Sequence, residues 1–179
     1  IKIISKDLDD DADNLFWSED SQSIYFAFDN RGERTIKQIS LNGDLNEIAS
    51  NVGGTTIGRP YISGGFHIAN GTAAYTYGKP DRPADVGIAI KGKTKVLTQL
   101  NEDILGYMKL GEVNEIIYNS SFDNEEIHGW YITPPNFDPS KKYPLILEIH
   151  GGPHLAYGPH FSAELQMMAA SGYIVFYDN

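Results

Sequence analysis

Apolar residues along this chain follow two patterns. Up to about residue 110 they come in short alternating runs separated by polar turns. Leu15-Phe16-Trp17-Ser18, Ile24-Tyr25-Phe26-Ala27-Phe28, Thr35-Ile36-Lys37-Gln38-Ile39-Ser40 and Leu45 to Ala49 read as four successive strands. Asp29-Asn30-Arg31-Gly32 and Asn42-Gly43 between them carry hairpin chemistry. A weaker copy follows about 50 residues on, with Gly65 to Gly71 opposite Leu15 to Ser21, Tyr75 opposite Tyr25, and Ile88-Ala89-Ile90-Lys91-Gly92 opposite Ile39 to Gly43. Val96-Leu97-Thr98 closes the copy. Four strands per unit at this period is the grammar of a β-propeller blade. Two blades do not close a ring, so the pattern predicts further blades elsewhere in the protein.

The pattern changes near Leu110-Gly111-Glu112. Asn114 to Ser120 and Ile127 to Ile132 predict a hairpin around Asp123-Asn124-Glu125-Glu126, whose acids are expected to be exposed. Pro134 to Lys142 is a rigid polar connection. Pro144-Leu145-Ile146-Leu147-Glu148-Ile149 then reads as a buried strand of a parallel sheet, carrying one charge. It runs into His150-Gly151-Gly152-Pro153-His154. Two glycines after a strand permit a sharp turn and leave amide N–H groups uncovered, as a developing oxyanion requires. In α/β-hydrolases one such donor comes from the loop between the third strand and the first helix. Phe161, Leu165, Met168 and Ala169 recur at helical spacing, Gly172 stops the helix, and Tyr173 to Tyr177 is a second buried strand. Strand, helix, strand predicts a parallel crossover.

Composition narrows the classes. The net charge of −10 argues against nucleic acid or an anionic membrane as partner, and no apolar run is long enough to span a bilayer. The absence of Cys excludes disulfides, thiolate metal sites and a Cys nucleophile. It suits the cytoplasm, with the periplasm as the alternative if a leader precedes this sequence. No cofactor or metal is expected. Asp7, Asp9, Asp11 and Asp13 alternate like calcium ligands, but no Gly follows where an EF-hand needs one, so an acidic solvated loop is the preferred reading.

Several stretches resemble the prolyl oligopeptidase family of serine peptidases, in its acylaminoacyl peptidase and dipeptidyl aminopeptidase branch. They are Asn101-Glu102-Asp103, Phe122 to Pro135, Phe137 to Pro144, His150-Gly151-Gly152-Pro153-His154 with Tyr157-Gly158, and Phe161, Gln166, Ala169-Ala170 and Gly172-Tyr173. The resemblance implies a mostly β chain with an α/β part. Residues 1–110 would be the C-terminal part of a β-propeller, and residues 111–179 the first strands and helix of an α/β-hydrolase domain. The remainder of both domains would lie elsewhere in the protein, and the substrates would be short peptides. Assembly into a homo-oligomer is left open.

The same resemblance assigns the Gly152 backbone N–H as an oxyanion donor, with Gly151 shaping the turn. The side chain of His150 is expected to hydrogen-bond to backbone, while His154 and Tyr157 are expected to face the cleft and bind substrate. The family's nucleophile motif, G-x-S-x-G, occurs nowhere in these 179 residues, so neither the triad nor a catalytic His is assigned here. Ser162 and Ser171 fall on the expected helix or at its end. The isolated chain is expected to be inactive and poorly soluble. Two other readings stay open: a non-catalytic propeller that binds partners, and an esterase sharing the oxyanion loop.

Overall fold

The computed structural model describes residues 2–6, 8, 11–152 and 154–179. The chain is mostly β, arranged as two sheets. Strands β1 (Ala12–Trp17), β2 (Ser23–Asn30), β3 (Glu33–Ser40) and β4 (Leu45–Val52) form an antiparallel meander. Strands β5 (Phe66–Ala69), β6 (Thr72–Lys79), β7 (Arg82–Ile90) and β8 (Lys93–Val96) form another. One bridge, Val52 with Tyr77, joins them into an eight-stranded sheet. Alternation decides the packing: Ala27, Ile36, Ala49 and Val52 share a core with Phe66, Ala73, Tyr75 and Ala89 of the second meander. Arg31-Gly32, Asn70-Gly71 and Lys91-Gly92 each set two successive residues at positive φ, the turn geometry whose twist matches the flanking strands. Asn42-Gly43 behaves differently. Only Gly43 is left-handed, and the Ser40 hydroxyl accepts from the amides of Asn42 and Asp44 across a wider connection.

A short helix, α1 (Glu102–Leu105), leads to the second sheet, which holds β9 (Val113–Asn119), β10 (Glu126–Ile132), β11 (Leu145–Glu148) and β12 (Ile174–Asp178). Its order is β11-β12-β10-β9, with β11 and β12 parallel and the other pairs antiparallel. The expected crossover is present. The parallel pair is part of a larger sheet, because β12 inserts between β11 and the β9–β10 hairpin. β11 is not buried on both faces: it is an edge strand, and Leu145, Leu147 and Ile149 are 63%, 53% and 73% exposed. Helix α2 (Ala163–Ala170) covers the other face, where Trp130, Ile132, Val175 and Tyr177 pack on Leu165 and Ala169. Phe161, expected inside this helix, precedes it. Ser162 caps the N-terminus by accepting from the Leu165 amide at 3.2 Å, and this sets the first turn. Buried Gln166 receives the Gly111 N–H and donates to the Gly111 carbonyl, fixing the segment that enters the sheet. No helix among the described residues is long and apolar enough to cross a membrane.

The sheets meet through close backbone contact. The tip of the β2–β3 hairpin lies on Trp130 and on the 150s loop. A Cβ at Gly158 would stand 1.9 Å from the Gly32 carbonyl oxygen, and one at Gly32 would stand 2.5 Å from Cη2 of Trp130. Beside them His160 is 5% exposed, with its Nε2 buried and without a hydrogen-bond partner among the described residues. Burial pushes the His160 pKa below its ordinary 6.5; the Gly32 carbonyl and Asp29 oppose this, and Arg34 adds to it.

Two outcomes follow for the full-length protein. Gly158→Ala should lower stability by roughly 1–3 kcal/mol, because neither backbone can yield without separating the sheets. Gly58→Ala meets nothing within 4 Å and should change the melting temperature little. Thermal denaturation of the two variants checks this. Folded His160 binds its proton more weakly than the unfolded chain does. Stability is therefore lost as pH falls through the window that opens at 6.5 and extends downward, and is unaffected above it. Melting temperature should then drop more steeply on the acid side of 6.5 in the wild type than in His160→Gln; equal slopes would show that His160 titrates freely.

Candidate functional site

β11 is the third strand of the second sheet in chain order, and α2 is the first helix after it. The loop between them, 149–162, opens at the carboxyl ends of the parallel pair β11 and β12, where open α/β sheets place their ligands. Its first half is exposed. Among the described residues, no hydrogen bond is made by the amides of Gly151, Gly152, His154 or Leu155. Pro153 lies outside the described residues. The side chain of His150 is half-buried and donates through Nδ1 to the Gly151 carbonyl at 2.8 Å, the backbone bond expected of it.

The glycines differ from expectation in one respect. Neither Gly151 nor Gly152 takes the left-handed region, so the pair makes no glycine-only turn. What distinguishes Gly152 is its surroundings. A Cβ there would lie 3.2 Å from the His154 nitrogen and 3.6 Å from the Leu155 nitrogen, whereas one at Gly151 would meet nothing within 4 Å among the described residues. A side chain at 152 would crowd a cluster of free amides, and such clusters attract anions.

The second half of the loop is fixed. Tyr157 sits 1% exposed between Tyr61 and Tyr177 and donates its hydroxyl to Glu148 Oε1 at 3.1 Å. Burial, then the Tyr61 hydroxyl, pushes its pKa up to about 12, so it remains a donor to Glu148. The cleft-facing role expected for Tyr157 does not hold: the ring is core and the hydroxyl is committed. His154, in contrast, is exposed on the wall of a cavity of about 580 Å³. Leu155, Ala156 and Asn179 share that wall, and Arg31 and Arg34 of the β2–β3 hairpin stand opposite. Arg34 is fully engaged, by two bonds to Asp29, one to Asp13 and one to the Gly64 carbonyl. Arg31 pairs with Glu126 at 3.4 Å, both side chains being well exposed. Glu126 is thus not simply a turn residue: it opens β10 and lines the cavity with His128, whose Nε2 meets Glu115 and whose Nδ1 is buried without a hydrogen-bond partner among the described residues.

Sequence reasoning passed over Asn179. Its side chain accepts from the Tyr157 amide at 2.7 Å and donates to the Tyr157 carbonyl at 2.8 Å, as a neighbouring strand would, and its amide donates to the His128 carbonyl. No local pattern marks such a residue. Glu148 did leave a signal, as the one charge in an apolar strand. Its carboxylate takes the Tyr157 hydroxyl and an ion pair from Arg59 on the β4–β5 connection.

Among the described residues no serine hydroxyl is hydrogen-bonded to a histidine. Ser162 Oγ donates to the Gly58 carbonyl and Ser171 Oγ to the Met167 carbonyl. Among the described residues, no group of three or more acids and histidines is placed to hold a metal. Of the alternating acids, Asp13 is paired with Arg34, while Asp7 and Asp9 lie outside the described residues.

No family model matches the chain. Curated relatives do. The chain is 32% identical over 166 residues to the uncharacterized peptidase YuxL of Bacillus subtilis, covering 91% of this chain and 24% of that protein. It is 27% identical over 190 residues to dipeptidyl-peptidase 5 of Aspergillus fumigatus, covering 100% of this chain and 25% of the relative. Among solved structures, Pyrococcus horikoshii acylaminoacyl peptidase superposes with a TM-score of 0.78 at 28% identity, over 98% of this chain and 26% of that one. An acylaminoacyl peptidase in complex with Z-Gly-Gly-Phe-chloromethyl ketone gives the same values. Dipeptidyl peptidase 4 of Porphyromonas gingivalis shares the fold, with a TM-score of 0.69 at 19% identity over 94% of this chain and 24% of that one. The chain thus spans about a quarter of the length of the relatives it matches. These matches run through both sheets and through the loop that carries Gly152, and what the chain is similar to over nearly all of its length is a set of acylaminoacyl and dipeptidyl peptidases, in keeping with its resemblance to the prolyl oligopeptidase family.

Proposed function

We propose that the full-length protein is a serine peptidase that cleaves short peptides by acyl transfer, and that the Gly152 N–H is one of its two oxyanion donors. The observation that carries this reading is the free Gly152 amide, held in the loop between the third strand and the first helix of the second sheet. A tetrahedral intermediate places negative charge on the former carbonyl oxygen. A fixed N–H aimed at that oxygen lowers the barrier without reorganising when the charge appears. The second donor would be the amide after the nucleophilic Ser, and the Ser, acid and His would come from parts of the protein outside these residues. Residues 1–110 are proposed as the C-terminal part of a β-propeller, supported by two four-stranded meanders with a common core. Residues 111–179 are proposed as the start of the hydrolase domain, supported by the parallel pair and its helix. His154 is the side chain here proposed to meet substrate, from the cavity wall.

In the full-length enzyme, Gly152→Pro removes the N–H and should lower kcat about 10²- to 10³-fold, with KM changed far less. Gly151→Ala, which meets nothing within 4 Å among the described residues, should stay near wild type. Melting temperatures of both variants separate lost chemistry from lost fold, and equal activity of the two would remove Gly152 from the mechanism. Residues 1–179 alone should not react with a fluorophosphonate probe, since no serine among the described residues is hydrogen-bonded to a histidine and no G-x-S-x-G elbow presents one; stoichiometric labelling would reveal a nucleophile within this chain.

A further inference from the structure

The loop 149–162 begins just after Glu148 and ends just before Glu164, in the first turn of α2. One guanidinium holds both ends. Arg59 pairs through Nη1 with Glu148, and through Nε at 2.9 Å with Glu164. It comes from the other sheet, on the connection between β4 and β5. The Glu148 side chain is only 12% exposed, so removing this partner would leave a largely buried carboxylate without its ion pair. Its other bond is to the Tyr157 hydroxyl, in the middle of the loop. The residues around Arg59 extend the hold. Ala163 donates to the Ile57 carbonyl, Ser162 Oγ to Gly58, Gly158 to Pro60, and Ile62 to Ala156, at 2.7 to 3.0 Å. These contacts fix residues 156–163 and leave Gly151, Gly152, His154 and Leu155 to offer amides.

We propose that Arg59 is a positioning residue for the oxyanion loop, acting through Glu148 and the Tyr157 hydroxyl to set where the Gly152 amide points. The proposal rests on the oxyanion reading of Gly152. It adds that part of the peptidase geometry is set from the first sheet, so displacing that sheet would lower turnover without touching a reacting atom. Arg is needed for its fork: one planar group serves two carboxylates, which a Lys ammonium cannot match in geometry.

The test uses the full-length protein and three single variants, Arg59→Met, Glu148→Gln and Tyr157→Phe, with the double variant of the first two. Amide hydrogen exchange is read by segment. Exchange at 156–163 should quicken in each single variant, while β6 and β7 keep wild-type rates. On a peptide substrate, kcat should fall between about ten- and a hundredfold, the scale of a small misplacement, with KM nearly constant. The double variant should lose little more than Arg59→Met alone, because both act through one link. Tyr157→Phe keeps the ring and its packing, and should reproduce the kcat loss. Unchanged exchange at 156–163 would overturn the proposal. So would a kcat loss in Arg59→Met that Tyr157→Phe does not share, or additive losses in the double variant. If the wild type neither labels with fluorophosphonate nor cleaves peptides, the peptidase reading fails. The exchange data then still decide whether Arg59 orders the loop.

Discussion

The contact on which everything else rests is backbone lying against backbone between the two sheets. Residues 57–62 of the first run along 156–163 of the second, and Gly32 and Gly158 approach so closely that neither has room for a Cβ. Main-chain contacts of this kind are short and directional, and they leave no slack for side chains to absorb. They convert an exposed loop after an edge strand into one whose second half is fixed and whose first half is presented. Ion pairs and aromatic packing around Arg59, Glu148, Tyr61 and Tyr157 are added to that frame. They give it chemical selectivity as well as position, because Tyr157 must remain a protonated donor for the link to hold.

The site divides its labour accordingly. Gly152 and its neighbouring amides offer hydrogen bonds without any side chain, which suits the stabilisation of charge that exists only in the transition state. The surrounding cavity mixes charges, with Arg31 and Glu126 exposed and weakly paired while Arg34 is locked by Asp29 and Asp13. Exposed pairs of the first kind cost little to open. On the proposed reading, a substrate at this cavity would meet groups able to exchange partners on one side and the presented amides on the other.

Much of this was legible in the residues. Alternation marked the strands of both meanders, a single apolar run followed by His-Gly-Gly marked the loop, and the family resemblance carried through to the comparisons. Errors arose where position depends on partners distant in sequence. Tyr157 reads as a cleft residue because it follows the loop motif; it is buried because Tyr61, far earlier in the chain, packs against it with its ring tilted. β11 reads as buried from composition alone, yet α2 packs on the face that carries Ile146 and leaves Leu145 and Leu147 exposed on the other. Gly158 gave no hint of its role, since a close approach to Gly32 has no local pattern. Arg59 sits in a turn-rich stretch between Gly58 and Pro60, where an exposed charge would be the default expectation. Its importance comes entirely from the two carboxylates that a different sheet brings to it.

The central claim is that the Gly152 amide faces the reacting carbonyl oxygen. The most direct measurement is a crystal structure of the full-length protein carrying a covalent peptidyl phosphonate or boronate on its nucleophile. The account predicts the adduct's oxyanion oxygen within about 3.1 Å of the Gly152 nitrogen, with residues 156–163 held against 57–62 as they are here. An adduct whose oxygen is held only by side chains, with Gly152 turned away or its amide bonded elsewhere in the protein, would contradict it.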